Sequence, residues 1–158
     1  MRKKTSRAAG ATPAFVLEQH LFYLFGQAMG RRDRALAGAL RRSGLNSTQW
    51  RVLAALHAHP DASMNALSEK TAVDRTTLTR TVDRMQADGL LERRQDDADR
   101  RARRLRLSEA GERVFARVLP LVLEQNRRAV DGIDAADQRR FRELLGRIID
   151  NLGRDAAG

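Results

Sequence analysis

Cysteine is absent from this chain of 158 residues, and aromatic side chains make up only 4% of it. Without thiols the chain can form no disulfide, no thiolate metal site and no cysteine-based redox sensor. Proline occurs three times, and no apolar run approaches the roughly 20 residues of a membrane-spanning helix. The N-terminus is basic and lacks the apolar core of a secretory signal. These absences favour a soluble, cytoplasmic protein.

The charge is strongly one-sided, with 30 Lys and Arg against 20 Asp and Glu and a formal net charge of +10. This bias favours an anionic partner, either nucleic acid or an acidic membrane surface, without choosing between them. Abundant Ala, Leu and Arg favour helices. The length predicts one domain. We expect residues 1–12 to form a flexible basic tail and residues 13–153 to form a single, mainly α-helical domain.

The centre of the chain predicts two short helices joined by a tight turn. Ser63 is a good N-cap for the first helix, and Asp74 is a good N-cap for the second. In the second helix, Leu78, Val82 and Met85 recur at positions i, i+4 and i+7, which is the spacing of a buried stripe. Two helices in this arrangement form a helix-turn-helix.

The face opposite this stripe carries hydroxyls and arginines instead of the Glu and Lys of an ordinary exposed helix. Arginine reads guanine edges with two hydrogen bonds, and threonine hydroxyls and helix N-termini bind phosphates. A solvated polar face is the alternative interpretation. The candidates for DNA contact on this helix are Arg75, Thr76, Thr77, Thr79, Arg80 and Arg84.

Residues 90–94 and 103–107 are predicted to be short strands, because apolar and charged residues alternate in the second segment. The hairpin between them is rich in Arg and Asp, and an arginine at a protruding tip fits a narrow minor groove. We predict that Asp99 braces one of these arginines through a charge-assisted hydrogen bond. The alternative is a surface salt-bridge cluster of small energetic value. Further candidates for DNA contact are Arg100, Arg101 and Arg103.

The outer segments of the chain carry wide apolar stripes that need a partner surface. A helix is predicted from Pro13 to Arg42, a second begins after the cap Ser108, and a third runs from the cap Asp134 to Gly153. The candidates for dimerisation are Phe15, Phe141, Leu144, Leu145, Ile148 and Leu152.

The conjunction of five short motifs resembles the MarR family of winged-helix regulators. The motifs are Gln49-Trp50-Arg51-Val52-Leu53, Asp74-Arg75-Thr76-Thr77-Leu78-Thr79-Arg80, Asp88-Gly89-Leu90, Asp99-Arg100-Arg101 and Leu107-Ser108-Glu109-Ala110-Gly111.

The resemblance covers about residues 15 to 152 and implies a winged helix-turn-helix, mainly α-helical with a small β-wing. In this fold two helices, a short strand and two further helices precede a two-stranded wing and two final helices. We expect the DNA-binding part to span residues 46–107. The dimerisation helices would span residues 13–44 and 108–153.

The resemblance also implies a function. Such proteins are homodimers that bind a near-palindromic operator, usually as repressors. They often release DNA when a small aromatic or acidic ligand enters a crevice beside the dimer-forming helices; a phenolic acid or its acyl-CoA thioester fits this habit. Core packing and dimer contacts explain the same residues, and we favour this explanation over ligand binding. The candidates for ligand contact are His20, Phe22, Tyr23 and Trp50.

Other function classes find less support. A non-specific DNA-binding or anionic-surface-binding protein is the alternative function, but the arginines cluster on one helix and one hairpin. No Walker loop, GxSxG or HExxH motif is present, so we expect no enzyme and no cofactor. His57 and His59 point to different sides of a helix, so we interpret them as surface residues and expect no metal site.

Overall fold

The structure is a computed structural model that describes residues 15–95 and 103–155. These residues fall into two compact units, one ending at Arg31 and the other beginning at Arg32. Within the described residues, no helix has both the length and the apolarity needed to cross a membrane. The elements are a short 3-10 turn (Leu17–Gln19), α1 (Leu21–Arg42), α2 (Ser47–Ala58), α3 (Met64–Thr71), α4 (Arg75–Ala87), β1 (Leu91–Gln95), β2 (Arg103–Leu107), α5 (Glu109–Ala129) and α6 (Ala135–Asp155).

The two strands form an antiparallel pair in which Leu91 lies opposite Leu107 and Gln95 opposite Arg103. Leu105 is buried, and its N–H donates to the carbonyl of Ala62 at 2.9 Å, which adds a single bridge before α3. The element order therefore confirms the predicted winged helix-turn-helix. The first strand begins one residue later than predicted.

The core of the second unit is centred on α2, which contacts α3, α4, α5 and β2. Each fully buried Leu or Val side chain contributes about 1.5–3 kcal/mol to the free energy of folding. Every element around α2 supplies apolar side chains to this core. They include Leu53 and Leu56 of α2, Leu67 of α3, Leu78, Val82 and Met85 of α4, Leu91, Leu105 and Leu107 of the strands, and Phe115, Val118 and Val122 of α5.

Side-chain caps set the starts of these helices. Asn46 and Gln49 form a reciprocal capping box at α2, with both hydrogen bonds at 2.9 Å. Such caps satisfy backbone N–H groups that the first helical turn leaves unpaired. The other caps confirm the predictions, since each accepts from the N–H three residues on: Ser63, Asp74, Ser108 and Asp134.

Two predicted helix boundaries are wrong. α6 continues through Gly153 to Asp155, because a glycine inside a helix costs only about 1 kcal/mol and does not by itself end it. α1 begins at Leu21 and not near Pro13, since His20 is extended with ψ of 120°. Pro13 itself lies outside the described residues.

In the last helix, α6, no residue from Ala135 to Arg154 is buried, although its apolar face is strong. Phe141, Leu144, Ile149 and Leu152 are 51%, 44%, 67% and 55% exposed. A helix with an apolar stripe normally packs that stripe against another element. Within residues 15–95 and 103–155, Leu144, Ile149 and Leu152 of this face therefore remain largely exposed.

Gly111 in the first turn of α5 lies against the backbone at the start of the wing. A Cβ atom at this position would be 2.2 Å from the carbonyl oxygen of Leu90 and 3.3 Å from Cβ of Leu107. The same carbonyl accepts the N–H of Ser108 at 3.0 Å, so it cannot move away without loss of that hydrogen bond. Only glycine fits here without a backbone shift.

We expect Gly111→Ala to destabilise the protein by about 1–3 kcal/mol, the usual cost of overpacking. Thermal unfolding followed by circular dichroism measures the change. Gly38→Ala is the control, because a Cβ there has only the flexible end of Arg42 within reach, at 3.8 Å. Alanine should stabilise that helical position or leave it unchanged. Equal melting temperatures for wild type and Gly111→Ala would contradict the proposed close contact.

Candidate nucleic-acid interface

The orientation of α4 is fixed by its buried stripe. Leu78, Val82 and Met85 are completely buried, so the helix cannot rotate about its axis without exposing them. The opposite face must then point outward. All six residues predicted on this helix are exposed: Arg75, Thr76, Thr77, Thr79, Arg80 and Arg84.

The three arginines of this face differ in their partners. Arg75 donates through Nη1 to Oδ1 of Asn65 on α3. Arg84 has only a long ion pair, with its Nε 4.0 Å from Oδ2 of Asp88. Within residues 15–95 and 103–155, the side chain of Arg80 has no hydrogen bond and no ion pair. An anion approaching α4 therefore meets cationic groups that are only partly engaged.

One carboxylate also lies on the exposed face of α4. Asp83 would repel a phosphate, but Arg93 of β1 donates to its Oδ1 through Nη2. This pair joins α4 to the wing and offsets the negative charge. A second pair braces the wing itself, since Nη2 of Arg106 lies 3.0 Å from Oε2 of Glu92 on the opposite strand.

The predicted hairpin residues are described only in part. Arg103 is exposed at the start of β2. Asp99, Arg100 and Arg101 lie outside the described residues, so the brace expected from Asp99 stays a prediction. Asn65, Asp83 and Arg93 contribute to this surface although the sequence did not single them out as a set. They are far apart in sequence, and only the packing of α3, α4 and β1 brings their side chains together.

The start of α4 holds a negative charge. The backbone N–H of Thr77 donates to Oδ1 of Asp74 at 2.9 Å. This hydrogen bond, assisted by the Thr77 side chain, lowers the pKa of Asp74 below its ordinary value of 3.8. The charged carboxylate thus caps the positive end of the α4 dipole.

Trp50, one of the predicted ligand contacts, is a core residue. It is 7% exposed, and its ring lies parallel to that of Phe115 at a centroid distance of 5.4 Å. The ring of Phe115 also stacks on that of His57, at a centroid distance of 4.0 Å. Nδ1 of His57 lies 2.8 Å from Oε2 of Glu112, so this half-exposed histidine has an acidic partner that its sequence neighbours did not reveal.

The other predicted ligand contacts lie in the unit that ends at Arg31. His20 is exposed, and its ring lies 4.1 Å from that of Phe15 in a tilted arrangement. Phe22 meets Phe25 edge-on at 6.0 Å. Tyr23 is partly buried. Trp50 belongs to the second unit, so a ligand site formed by all four residues stays a prediction.

An open pocket of about 550 Å³ lies at the turn between α5 and α6. None of the predicted ligand contacts lines it. Within the described ranges, no group of three or more His, Cys, Asp or Glu side chains is placed to hold a metal ion. The pocket walls include Leu123, Val130, Ile133, Gln138 and Arg142.

Comparison with known proteins gives a consistent result. A sequence profile of the MarR family matches residues 43–102. The chain is similar to the HTH-type transcriptional repressor IacR of Pseudomonas putida, with 27% identity over 151 residues, 96% of this chain and 90% of that protein.

Two solved structures are also similar. A MarR-family transcriptional regulator from Silicibacter pomeroyi superposes with a TM-score of 0.79 at 32% identity, over 86% of this chain and 92% of that one. The PcaV transcriptional regulator from Streptomyces coelicolor, solved in complex with its natural ligand, has a TM-score of 0.75 at 27% identity, over 88% and 98% of the two chains.

The cap of α4 makes the stability of the chain depend on pH. A carboxyl whose pKa is lower in the folded state contributes stability above its unfolded pKa, and this is lost as pH falls through the folded pKa. We therefore expect Asp74→Asn to lower the melting temperature near neutral pH. The difference from wild type should shrink as the pH falls below 3.8, the ordinary pKa.

The control for this prediction is Asp88→Asn at the other end of α4. A carboxylate there faces the negative end of the helix dipole, so its removal should not lower the melting temperature at neutral pH. Circular dichroism melts over a pH series provide the measurement. A deficit of Asp74→Asn that stays constant with pH would show that the charge is not what stabilises the helix.

Proposed function

The chain belongs to the MarR family of transcriptional regulators, and we propose that it is a sequence-specific, homodimeric repressor of a near-palindromic operator. The observation that carries this proposal is the outward face of α4. It is held in place by the buried stripe beneath it and presents arginines and threonines to solvent.

In this proposal α4 enters the major groove, whose width admits one α-helix. Arg80 has the freest guanidinium of this face and is suited to the two acceptors of a guanine edge. Arg84 and the threonine hydroxyls are placed to contact phosphates or bases. The pair of Asp83 with Arg93 supports close approach to DNA, because it removes an uncompensated carboxylate from the interface.

The hairpin after β1 is proposed to reach the adjacent minor groove. The antiparallel register carries both strands outward, up to Gln95 and Arg103. Between them Arg100 or Arg101 would enter a narrow minor groove, where the negative potential is enhanced. Asp99 would hold one of these side chains in an extended position.

The uncovered apolar side chains support a homodimer. No residue from Ala135 to Arg154 of α6 is buried, and in the unit ending at Arg31 the side chain of Phe15 is 67% exposed. Exposed apolar surface of this kind marks an interaction site. We propose that residues 13–44 and 108–153 of one copy pack against the same segments of a second copy and so cover this apolar surface. A two-fold dimer would then place its two α4 helices about 34–36 Å apart, one turn of DNA.

A small-molecule effector is the finer part of the proposal. The similarity to PcaV, which was solved with its natural ligand, supports a ligand-responsive regulator. The proposed ligand is an aromatic acid or an acyl-CoA thioester that contacts His20, Phe22 and Tyr23. Trp50 can offer only its small exposed edge. Such a ligand shifts the equilibrium between the DNA-bound and the DNA-free form only if it binds the DNA-free form more tightly.

A competition experiment tests the central claim. The full chain is used to enrich duplexes from a pool with a randomised centre, and the enriched duplex then competes with random DNA of equal length. We expect a preference for a two-fold symmetric sequence and a steep loss of affinity with salt. Equal affinity for both duplexes would instead favour a non-specific DNA-binding or anionic-surface-binding protein.

We expect Arg101→Ala to weaken binding to the enriched duplex by about tenfold, or about 1.4 kcal/mol, while the dimer persists. Fluorescence anisotropy at fixed salt gives the affinity, and sedimentation gives the oligomeric state. Arg139→Ala is the matched control, since it removes the same charge from α6, outside the proposed DNA-contacting elements. Unchanged affinity of Arg101→Ala would remove the wing from the proposed interface.

The dimer is tested separately on α6. Leu144 is 44% exposed, and Leu144→Asp would place a charge in the proposed interface. Since an unpaired buried charge costs several kcal/mol, we expect monomers in sedimentation velocity and unchanged helical content. Arg139→Asp, on the side of α6 opposite Phe141 and Leu144, should leave the dimer intact. A wild-type chain that sediments as a monomer at micromolar concentration would contradict the proposal.

A further inference from the structure

The two helices of the helix-turn-helix are linked on their exposed side by one side-chain pair. Asn65 is the second residue of α3, and Arg75 is the first residue of α4. Nη1 of Arg75 donates to Oδ1 of Asn65, and both residues are exposed. We infer that Asn65 is a positioning residue, which orients the guanidinium of Arg75 for DNA recognition; this inference rests on the proposed function.

The fold does not depend on this pair. The turn between α3 and α4 is closed by the hydroxyl of Ser68, which donates to the carbonyl of Val73 at 2.9 Å. Ala72 takes the left-handed conformation there, with φ of 50°. Leu67 and Leu78 are buried and join the two helices to one core. An exposed hydrogen bond adds little to stability beside this packing, so its role must lie in what Arg75 does.

The neutral amide of Asn65 favours a role in DNA recognition by Arg75 over a role in neutralising its charge. An amide oxygen is neutral, so Asn65 fixes one N–H of the guanidinium and leaves its positive charge in place. The other N–H donors of the guanidinium remain available for a phosphate or a guanine edge. Arg93 is the contrast, because its partner Asp83 is a carboxylate that cancels the charge.

The benefit of such positioning is entropic. A free arginine side chain loses much rotamer freedom when a ligand immobilises it, and a side chain that is already held loses less. Arg80, which has no such partner among the described residues, pays this cost in full. Arg75 is therefore the arginine of α4 whose direction is set before DNA arrives. Asn65 acts on DNA through Arg75 and need not touch DNA itself.

The test is a double-mutant cycle with Asn65→Ala, Arg75→Ala and the double variant. The probe is the duplex that the wild-type full chain enriches from a random pool. Asn65→Ala should weaken binding about two- to tenfold, the worth of one hydrogen bond. In the Arg75→Ala background it should cause no further loss. Equal losses in both backgrounds would overturn the inference.

A second variant separates orientation from charge. Asn65→Asp keeps an acceptor for Arg75 but neutralises it, so the preferred base pair facing Arg75 should be retained. The slope of log affinity against log salt should fall by about one ion equivalent. Asn65→Ala should show the reverse pattern, with the salt slope retained and the base preference at that position lost. If Asn65 had only a structural role, neither variant would change the base preference or the salt slope without the other.

His59→Ala is the control, because it removes an exposed side chain outside the proposed DNA-contacting elements and outside the proposed dimer segments. It should leave affinity and base preference unchanged. All variants should melt at the wild-type temperature, and a lowered melting temperature that accounts for the loss in Asn65→Ala would overturn the inference. A wild-type chain that enriches no sequence overturns the proposed function. An enriched sequence with additive losses overturns only the role of Asn65.

Discussion

The packing of three side chains of α4 into the core is the constraint on which the proposed DNA-binding surface depends. Leu78, Val82 and Met85 are completely buried beside α2 and β1. Because side chains on a helix have fixed angular positions, burial of one stripe determines which residues point outward. The arginines and threonines of α4 thus owe their exposure to apolar residues between them. Loss of this packing would change the direction of every exposed side chain of α4 and not of one contact alone.

The partner of each arginine on this surface decides whether its positive charge is neutralised. Asp83 is held by Arg93, and Arg106 is held by Glu92, so two arginines of the wing are paired with carboxylates. Arg75 receives only a neutral amide, and its charge is retained. Exposed ion pairs of this kind contribute little stability, about 0–1 kcal/mol each. Their effect lies in deciding where positive charge stays available and in which direction it points.

The sequence predicted those features that depend on neighbours along the chain. The α4 stripe has helical spacing, and Ser63 and Asp74 bond to N–H groups three residues away, so pattern and cap were both readable. The end of α6 could not be read from the sequence, because a glycine ends a helix only where the residues that follow it are not helical. The pairs of Asn65 with Arg75 and of His57 with Glu112 were also missed. They join separate helices, and nothing in local spacing fixes which exposed side chains meet.

The contacts of Phe115 and Gly111 indicate how α5 is connected to the DNA-binding part. Phe115 of α5 stacks on Trp50 and on His57 of α2, and Gly111 lies against the carbonyl of Leu90. Close-packed aromatic contacts of this kind transmit displacement instead of absorbing it. The first half of α5 is therefore packed against the core that orients α4, while its second half leads to α6. In the proposed dimer, a shift of α5 would change the spacing of the two α4 helices without unfolding either one. That rigidity is what a ligand would need in order to act at a distance.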